Sequence, residues 1–276
     1  MLLFAYGSAT LAQPADARRP DQAVDGLVRA RPLAIEPLTT IGAAGSGYFE
    51  DPYPVRLAPS RPSQMVAISG TTKAIMRCRI PLAPSRCTWT PAQFDVGALA
   101  DGITAAGDTF TNFQNLNVFQ DDQGGWHAVL AIGVKRRGAP AGDHWTVLVH
   151  ARPASAASPD QVPLQWVADT VLSGSFSERV DGNYDGKYLE DDGKLYLLFV
   201  KNFTSRPALR NGIVIQPMVS PTQKEPVPPA TLLTTGDRFG PLNSERYDHT
   251  AAKLVEAPFI TRIDGKYALI YSTGAY

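Results

Sequence analysis

Apolar residues come in short bursts along this chain, and no long stretch repeats them at the helical period. The bursts are rich in β-branched and aromatic residues and end at Gly, Pro, Asn or Asp, which is the pattern of strands and tight turns. Readable strands fall at 64–69, 74–80, 87–90, 110–120, 126–134, 145–150, 195–201, 213–217, 255–263 and 266–272. The last two make the clearest pair. They flank Asp264-Gly265, a type I′ hairpin signal, because both residue types tolerate the positive φ that this turn needs. Pro-rich loops at 151–163 and 221–229 separate the groups of strands.

The strands fall into units with one plan: an entrance bearing a carboxylate or amide, a strand, an Asp/Gly-rich turn, and an aromatic-rich strand. The entrances lie near Asp51, Asn112, Asp185 and Glu256, roughly 60 to 75 residues apart, a spacing that accommodates four-stranded blades with long loops. The expected fold is all-β, a β-propeller, with a β-sandwich as the plain alternative. In a propeller the first strand of each blade starts beside the central axis, so carboxylates far apart in sequence meet there. Asp51, Asp185 and Glu256 form such a set. Three convergent carboxylates suit hydrolysis of a glycosidic bond: one deprotonates water, one protonates the leaving oxygen, and one tunes the proton donor.

Three motifs carry a resemblance. Phe49-Glu-Asp-Pro-Tyr53 opens the first unit, Asp185-Gly-Lys-Tyr-Leu-Glu-Asp-Asp-Gly-Lys-Leu-Tyr-Leu197 the third, and Val255-Glu-Ala-Pro-Phe259 the fourth, followed by Asp264-Gly-Lys-Tyr-Ala-Leu-Ile-Tyr-Ser272. In order and spacing, over residues 47–276, they resemble glycoside hydrolase family 43, five-bladed propeller enzymes that act on arabinose- and xylose-containing polysaccharides. The resemblance implies Asp51 as general base, Asp185 as the residue that orients the acid and raises its pKa, and Glu256 as general acid. Asp181 competes with Asp185 for its role, because the two stand close together in one Gly-rich stretch. The implied reaction inverts the anomeric centre, with base and acid about 6.5–9.5 Å apart. Phe49 and Tyr53 beside Asp51 are the candidate stacking residues, and Asn112, Arg246 and His249 the candidate polar contacts to sugar. Trp126 and Trp145 read as core. A carbohydrate-binding propeller without catalysis, and a propeller glycosidase acting on fructosides, are the competing readings.

Composition narrows the rest. Lys plus Arg and Asp plus Glu number 26 each, so the net charge is zero and nucleic acid is a poor partner. No His/Cys cluster has zinc spacing, and no cofactor is expected; the family resemblance leaves room for a central structural ion such as calcium in a complete propeller. Residues 1–46 read as a leader whose first part, a short apolar run ending near Ala12, looks like a secretory signal; the expected location is secreted or periplasmic. The run is too short to span a bilayer, and no membrane partner is expected. Cys78 and Cys87, the two cysteines, flank a Pro-rich turn and form either a local disulfide or two buried thiols. Five blades are implied, and the chain carries about three and a half of that kind of repeat. The expectation is therefore a propeller domain at 47–276 lacking its C-terminal blades, the alternative being that the leader closes the ring.

Overall fold

The computed structural model describes residues 2–6, 53–56, 65–70, 74–79, 87–139, 144–177, 182–203, 211–235 and 254–274. Their elements in order are β1 (Leu2–Tyr6), β2 (Tyr53–Arg56), β3 (Met65–Gly70), β4 (Ala74–Arg79), β5 (Cys87–Pro91), β6 (Gln93–Asp95), α1 (Leu99–Ala105), β7 (Asp108–Gln120), β8 (Trp126–Arg136), β9 (His144–Pro153), β10 (Gln165–Ser173), β11 (Asn183–Asp191), β12 (Lys194–Asn202), β13 (Asn211–Ser220), β14 (Gln223–Lys224), β15 (Ala230–Thr234), β16 (Leu254–Ile263) and β17 (Lys266–Gly274). They form four sheets, ordered β2-β3-β4-β5, β7-β8-β9-β10-β6, β11-β12-β13-β14 with β15 beside β13, and β16-β17-β1. The fold is all-β, a β-propeller, as the repeat of units leads one to expect.

Each sheet packs face to face with the next, and this explains the unbroken apolar runs. Along β8, Ala128, Leu130, Ile132 and Val134 turn toward the first sheet, where they meet Tyr53, Val55 and Ile75. The alternate residues Val129 and Ala131 turn the other way and pack with Leu197, Phe199 and Val214 of the third sheet. Leu198 of β12, between those two, faces the fourth sheet with Val255 and Tyr271. A strand covered on both faces has no solvent side to mark with polar residues, so period two survives only as a choice of neighbour. Burying a Leu or Phe in this way contributes about 1.5–3 kcal/mol, which is what holds one blade to the next.

The first strands β2, β7, β11 and β16 gather around one axial cleft, to which all four contribute residues. Side chains stitch them in sequence. The Tyr53 hydroxyl accepts the Val118 N–H, Asn117 Oδ1 accepts the Tyr188 N–H at 3.2 Å, and Asp185 Oδ2 accepts the Ala257 N–H at 2.7 Å. At the far end of the strands Arg262 of β16 grips Asp191 at 3.0 Å and Asp192 at 3.1 Å across the blade boundary.

Two further expectations meet the structure here. Cys78 is disulfide-bonded, and β4–β5 register sets Cys87 directly opposite it. Within the segment read as a leader, β1 lies antiparallel to β17 as the third strand of the last sheet.

Candidate active site

One local device recurs at the entrance of three blades. Strand pairing slips between Gln114 and Asn117 in β7, between Tyr184 and Lys187 in β11, and between Glu256 and Phe259 in β16. Each slip is a β-bulge that holds one residue at positive φ: Asn115 at 51°, Asp185 at 52° and Ala257 at 50°. Asn and Asp tolerate the left-handed region because their short polar side chains bond locally, whereas Ala there stores strain of about 1–2 kcal/mol. A bulge bends its strand and re-aims the side chains beside it.

The bulges settle which residues are equivalent. Asp185 stands as far ahead of the turn Asp192-Gly193 (φ 49° and 71°) as Ala257 stands ahead of Asp264-Gly265 (φ 51° and 74°). Glu256 therefore sits one step before the bulge residue, and Asp185 is itself the bulge residue. In β7 the equivalent of Asp185 is Asn115. Asn112, the expected sugar contact, lies three positions upstream, where its side chain covers Gly133 of β8 and accepts a bond from the Thr111 hydroxyl at 3.0 Å. In sequence alone, Glu50-Asp-Pro-Tyr53 has the order of Glu256-Ala-Pro-Phe259, so Asp51 aligns with Ala257.

The structure sets the Asp185 carboxylate against the main chain next to Glu256. Asp185 is 3% exposed and reaches from β11 to the N–H of Ala257. On the other side of Glu256, the N–H of Val255 donates to Asn211 Oδ1 at 2.7 Å. Both amides flanking Glu256 are thus held by side chains of the third blade. Asn211, 2% exposed, is itself fixed through Nδ2 by Tyr184 Oη at 2.6 Å and Asn202 Oδ1 at 3.1 Å. Sequence reasoning missed Asn211, which sits at the head of β13 with nothing local to distinguish it from a turn asparagine.

Phe49, Asp51, Asp181, Arg246 and His249 lie outside the described residues. Tyr53 is 5% exposed on the wall of the axial cleft, its hydroxyl engaged by Val118. Trp126 is buried and donates to Ser158 O at 2.8 Å, so it belongs to the core. The cleft occupies about 470 Å³ beyond the bulges, toward the hairpin turns, and its lining includes neither Asp185 nor Glu256. Among the described residues no three His, Cys, Asp or Glu side chains stand together as a metal site, and the cleft holds the side chain of Lys187.

A second polar cluster, also missed, runs through the second blade. Asp121 Oδ2 meets His127 Nε2 at 3.1 Å, His127 Nδ1 meets His150 Nε2 at 3.0 Å, and His150 Nδ1 meets Asp169 Oδ1 at 2.6 Å. Each contact needs one proton, carried by one of its two atoms. Arg152 stands 3.7 Å from Asp169 at the outer end of the chain of contacts. Burial holds His127 below its ordinary 6.5, with the Asp121 hydrogen bond opposing and the His150 charge adding to the effect. For Asp121, burial works upward but is outweighed by His127 and the N–H groups of Gly125 and Gln123; for Asp169, burial is outweighed by His150, Thr170 and Arg152. Both carboxyls lie below 3.8.

These shifts have one sign in stability. A histidine held below its ordinary value takes its proton first in the unfolded chain, so stability falls as pH drops below 6.5. The carboxylates contribute stability above their ordinary value that is lost as pH falls through their lowered ones. Thermal melts should show the midpoint declining from pH 7 to pH 5, and His127→Gln should flatten that decline. An unchanged slope in the variant would remove His127 from the account.

No protein-family model matches the sequence, and no curated protein matches it either. Solved structures do match. A thermostable family-43 glycoside hydrolase aligns at 14% identity over 83% of this chain and 64% of its own, with a TM-score of 0.50. An α-L-arabinanase of Cellvibrio cellulosa, solved with arabinohexaose, aligns at 15% identity over 84% of this chain and 67% of its own, also at 0.50. A levansucrase of B. subtilis aligns at 13% identity over 79% and 61%, at 0.47. At such identities the likeness is one of fold, and the chain spans less than two thirds of the family-43 hydrolase.

Proposed function

We propose that this chain carries the catalytic centre of an inverting glycosidase acting on arabinose- or xylose-containing oligo- or polysaccharide. The observation that carries the reading is the Asp185–Ala257 hydrogen bond at 2.7 Å, which ties a buried carboxylate to the residue beside Glu256. In this reading Glu256 is the general acid, Asp185 orients it and keeps it protonated, and Asp51 takes the proton of the attacking water. A negative neighbour raises the pKa of an acid, and an acid that must hold its proton near neutrality needs that help. The matching fold of an arabinanase solved with arabinohexaose supports the choice of pentose substrates. The disulfide at Cys78 supports an oxidising compartment, hence export.

Catalysis then runs as one displacement. Asp51 draws a proton from water on one face of the sugar. Glu256 gives its proton to the departing oxygen on the other. The bond to the anomeric carbon forms from the opposite side to the one that breaks, which inverts the centre.

The test is release of reducing ends from linear arabinan, arabinoxylan and a fructan, with Asp51→Asn alongside. The pentose polymers should be cut and the fructan left intact, and the variant should lose roughly a hundred- to ten-thousand-fold in rate. Saturable binding without release of sugar would instead favour a carbohydrate-binding propeller.

A further inference from the structure

The axial cleft holds two buried side chains with unused hydrogen-bond donors. Lys187, 7% exposed, lines the cleft from β11 and makes no ion pair or hydrogen bond with a protein group among the described residues. Asn117, 4% exposed, lines it from β7 and spends its Oδ1 on the Tyr188 N–H, leaving Nδ2 without a partner among the described residues. Neither donor is sealed from water: both open on the cleft, where a bound acceptor can take the place of water. Here both idle groups are donors, so the missing partner is an acceptor, and an anionic one answers both.

The surroundings define the remainder of that partner. Phe119 and Tyr188, with ring centres 5.3 Å apart, and Phe259 supply apolar wall. Asp122, Glu190 and Asp192 stand exposed at the rim, with Asp192 paired to Arg262 at 3.1 Å. Exposed carboxylates are screened by solvent and salt, which weakens their opposition to the attraction at the floor, and Asp122 can accept from a hydroxyl group. A volume near 470 Å³ accommodates one sugar ring.

We propose that the axial cleft is a second binding site for a monosaccharide-sized sugar acid, whose carboxylate meets Lys187 and Asn117 while its ring lies along the aromatic wall and its hydroxyls face the rim. The site lies on the far side of the bulges from Asp185 and Glu256, and it does not depend on the glycosidase reading.

Calorimetric titration of the full chain with D-galacturonate, D-galactose and acetate tests it. Galacturonate should bind roughly tenfold or more tighter than galactose, the worth of one charge-assisted contact, and acetate should compete only weakly. Lys187→Met should remove the preference for the acid, and Glu256→Gln should leave it intact. Melting curves establish that each variant is folded, and the three-ligand comparison on the unaltered chain stands without any variant. Equal binding of galacturonate and galactose, displacement by equimolar acetate, or undiminished preference in Lys187→Met would overturn the proposal.

Discussion

Glu256→Gln is expected to slow hydrolysis of an arabino-oligosaccharide roughly a hundred- to ten-thousand-fold, the usual worth of a general acid, with little change in melting temperature. The amide matches the carboxyl in shape and cannot release a proton to the leaving oxygen. Glu256 pairs with Ser272 in the β16–β17 ladder, and its flanking amides are held by Asn211 and Asp185, so the ladder and these side chains fix the backbone here. An aryl arabinoside adds a control within the same experiment. Its leaving group departs without protonation, so the variant should lose far less on it than on the oligosaccharide. Equal losses on both substrates would assign Glu256 a role other than proton donor.

Asp185→Asn should produce the second largest effect, in a different form. Asparagine also tolerates positive φ, and its Oδ1 can still accept the Ala257 N–H, so the bulge is retained while the charge is removed. Without a negative neighbour Glu256 gives up its proton more readily, and the alkaline limb of the bell-shaped rate profile should move to lower pH. The rate at the optimum should fall by about one to two powers of ten, part of the contribution of the acid it supports. A lower rate with an unmoved alkaline limb would mean that Asp185 only fixes geometry. Asp185→Ala separates the two roles further, because it also leaves the half-buried Ala257 N–H without its carboxylate acceptor.

Much of this fold is readable from local pattern, and the reasons are physical. The hairpin at Asp264-Gly265 is written in two residues whose preference for positive φ is intrinsic, and the strand 126–134 in an apolar run that only a doubly covered strand needs. The strand β10 (Gln165–Ser173) was missed because it mixes buried Trp166, Ala168 and Leu172 with polar Asp169 and Thr170, and because it pairs with β6, which lies far earlier in the chain. The helix α1 has seven residues and no side-chain cap, too short for a period to register.

The candidate site divides along the same line. Asp185 and Glu256 stand out in the sequence because each opens a segment that runs into an Asp-Gly turn and an aromatic strand. In the second blade Asn112, Asn115 and Asn117 are alike in composition, and only the bulge marks Asn115 as the counterpart of Asp185. Asn211, Lys187 and the Asp121-His127-His150-Asp169 cluster owe their partners to register between strands distant in sequence. A histidine in an apolar strand gives no sign of which residue will lie opposite, and Phe119 opposite His127, or Val129 opposite His150, follows only from the assembled sheet.

The central claim is that acidic groups from separate blades act on one sugar bond from its two faces. Proton NMR of an α-linked arabino-oligosaccharide during the first turnovers tests this most directly, because it reads the anomer released before mutarotation mixes the forms. The β-anomer should appear first and the α-anomer only later; first appearance of the α-anomer would require a carboxylate close enough to bond the sugar, and would contradict the assignment of Asp51 as a base acting through water.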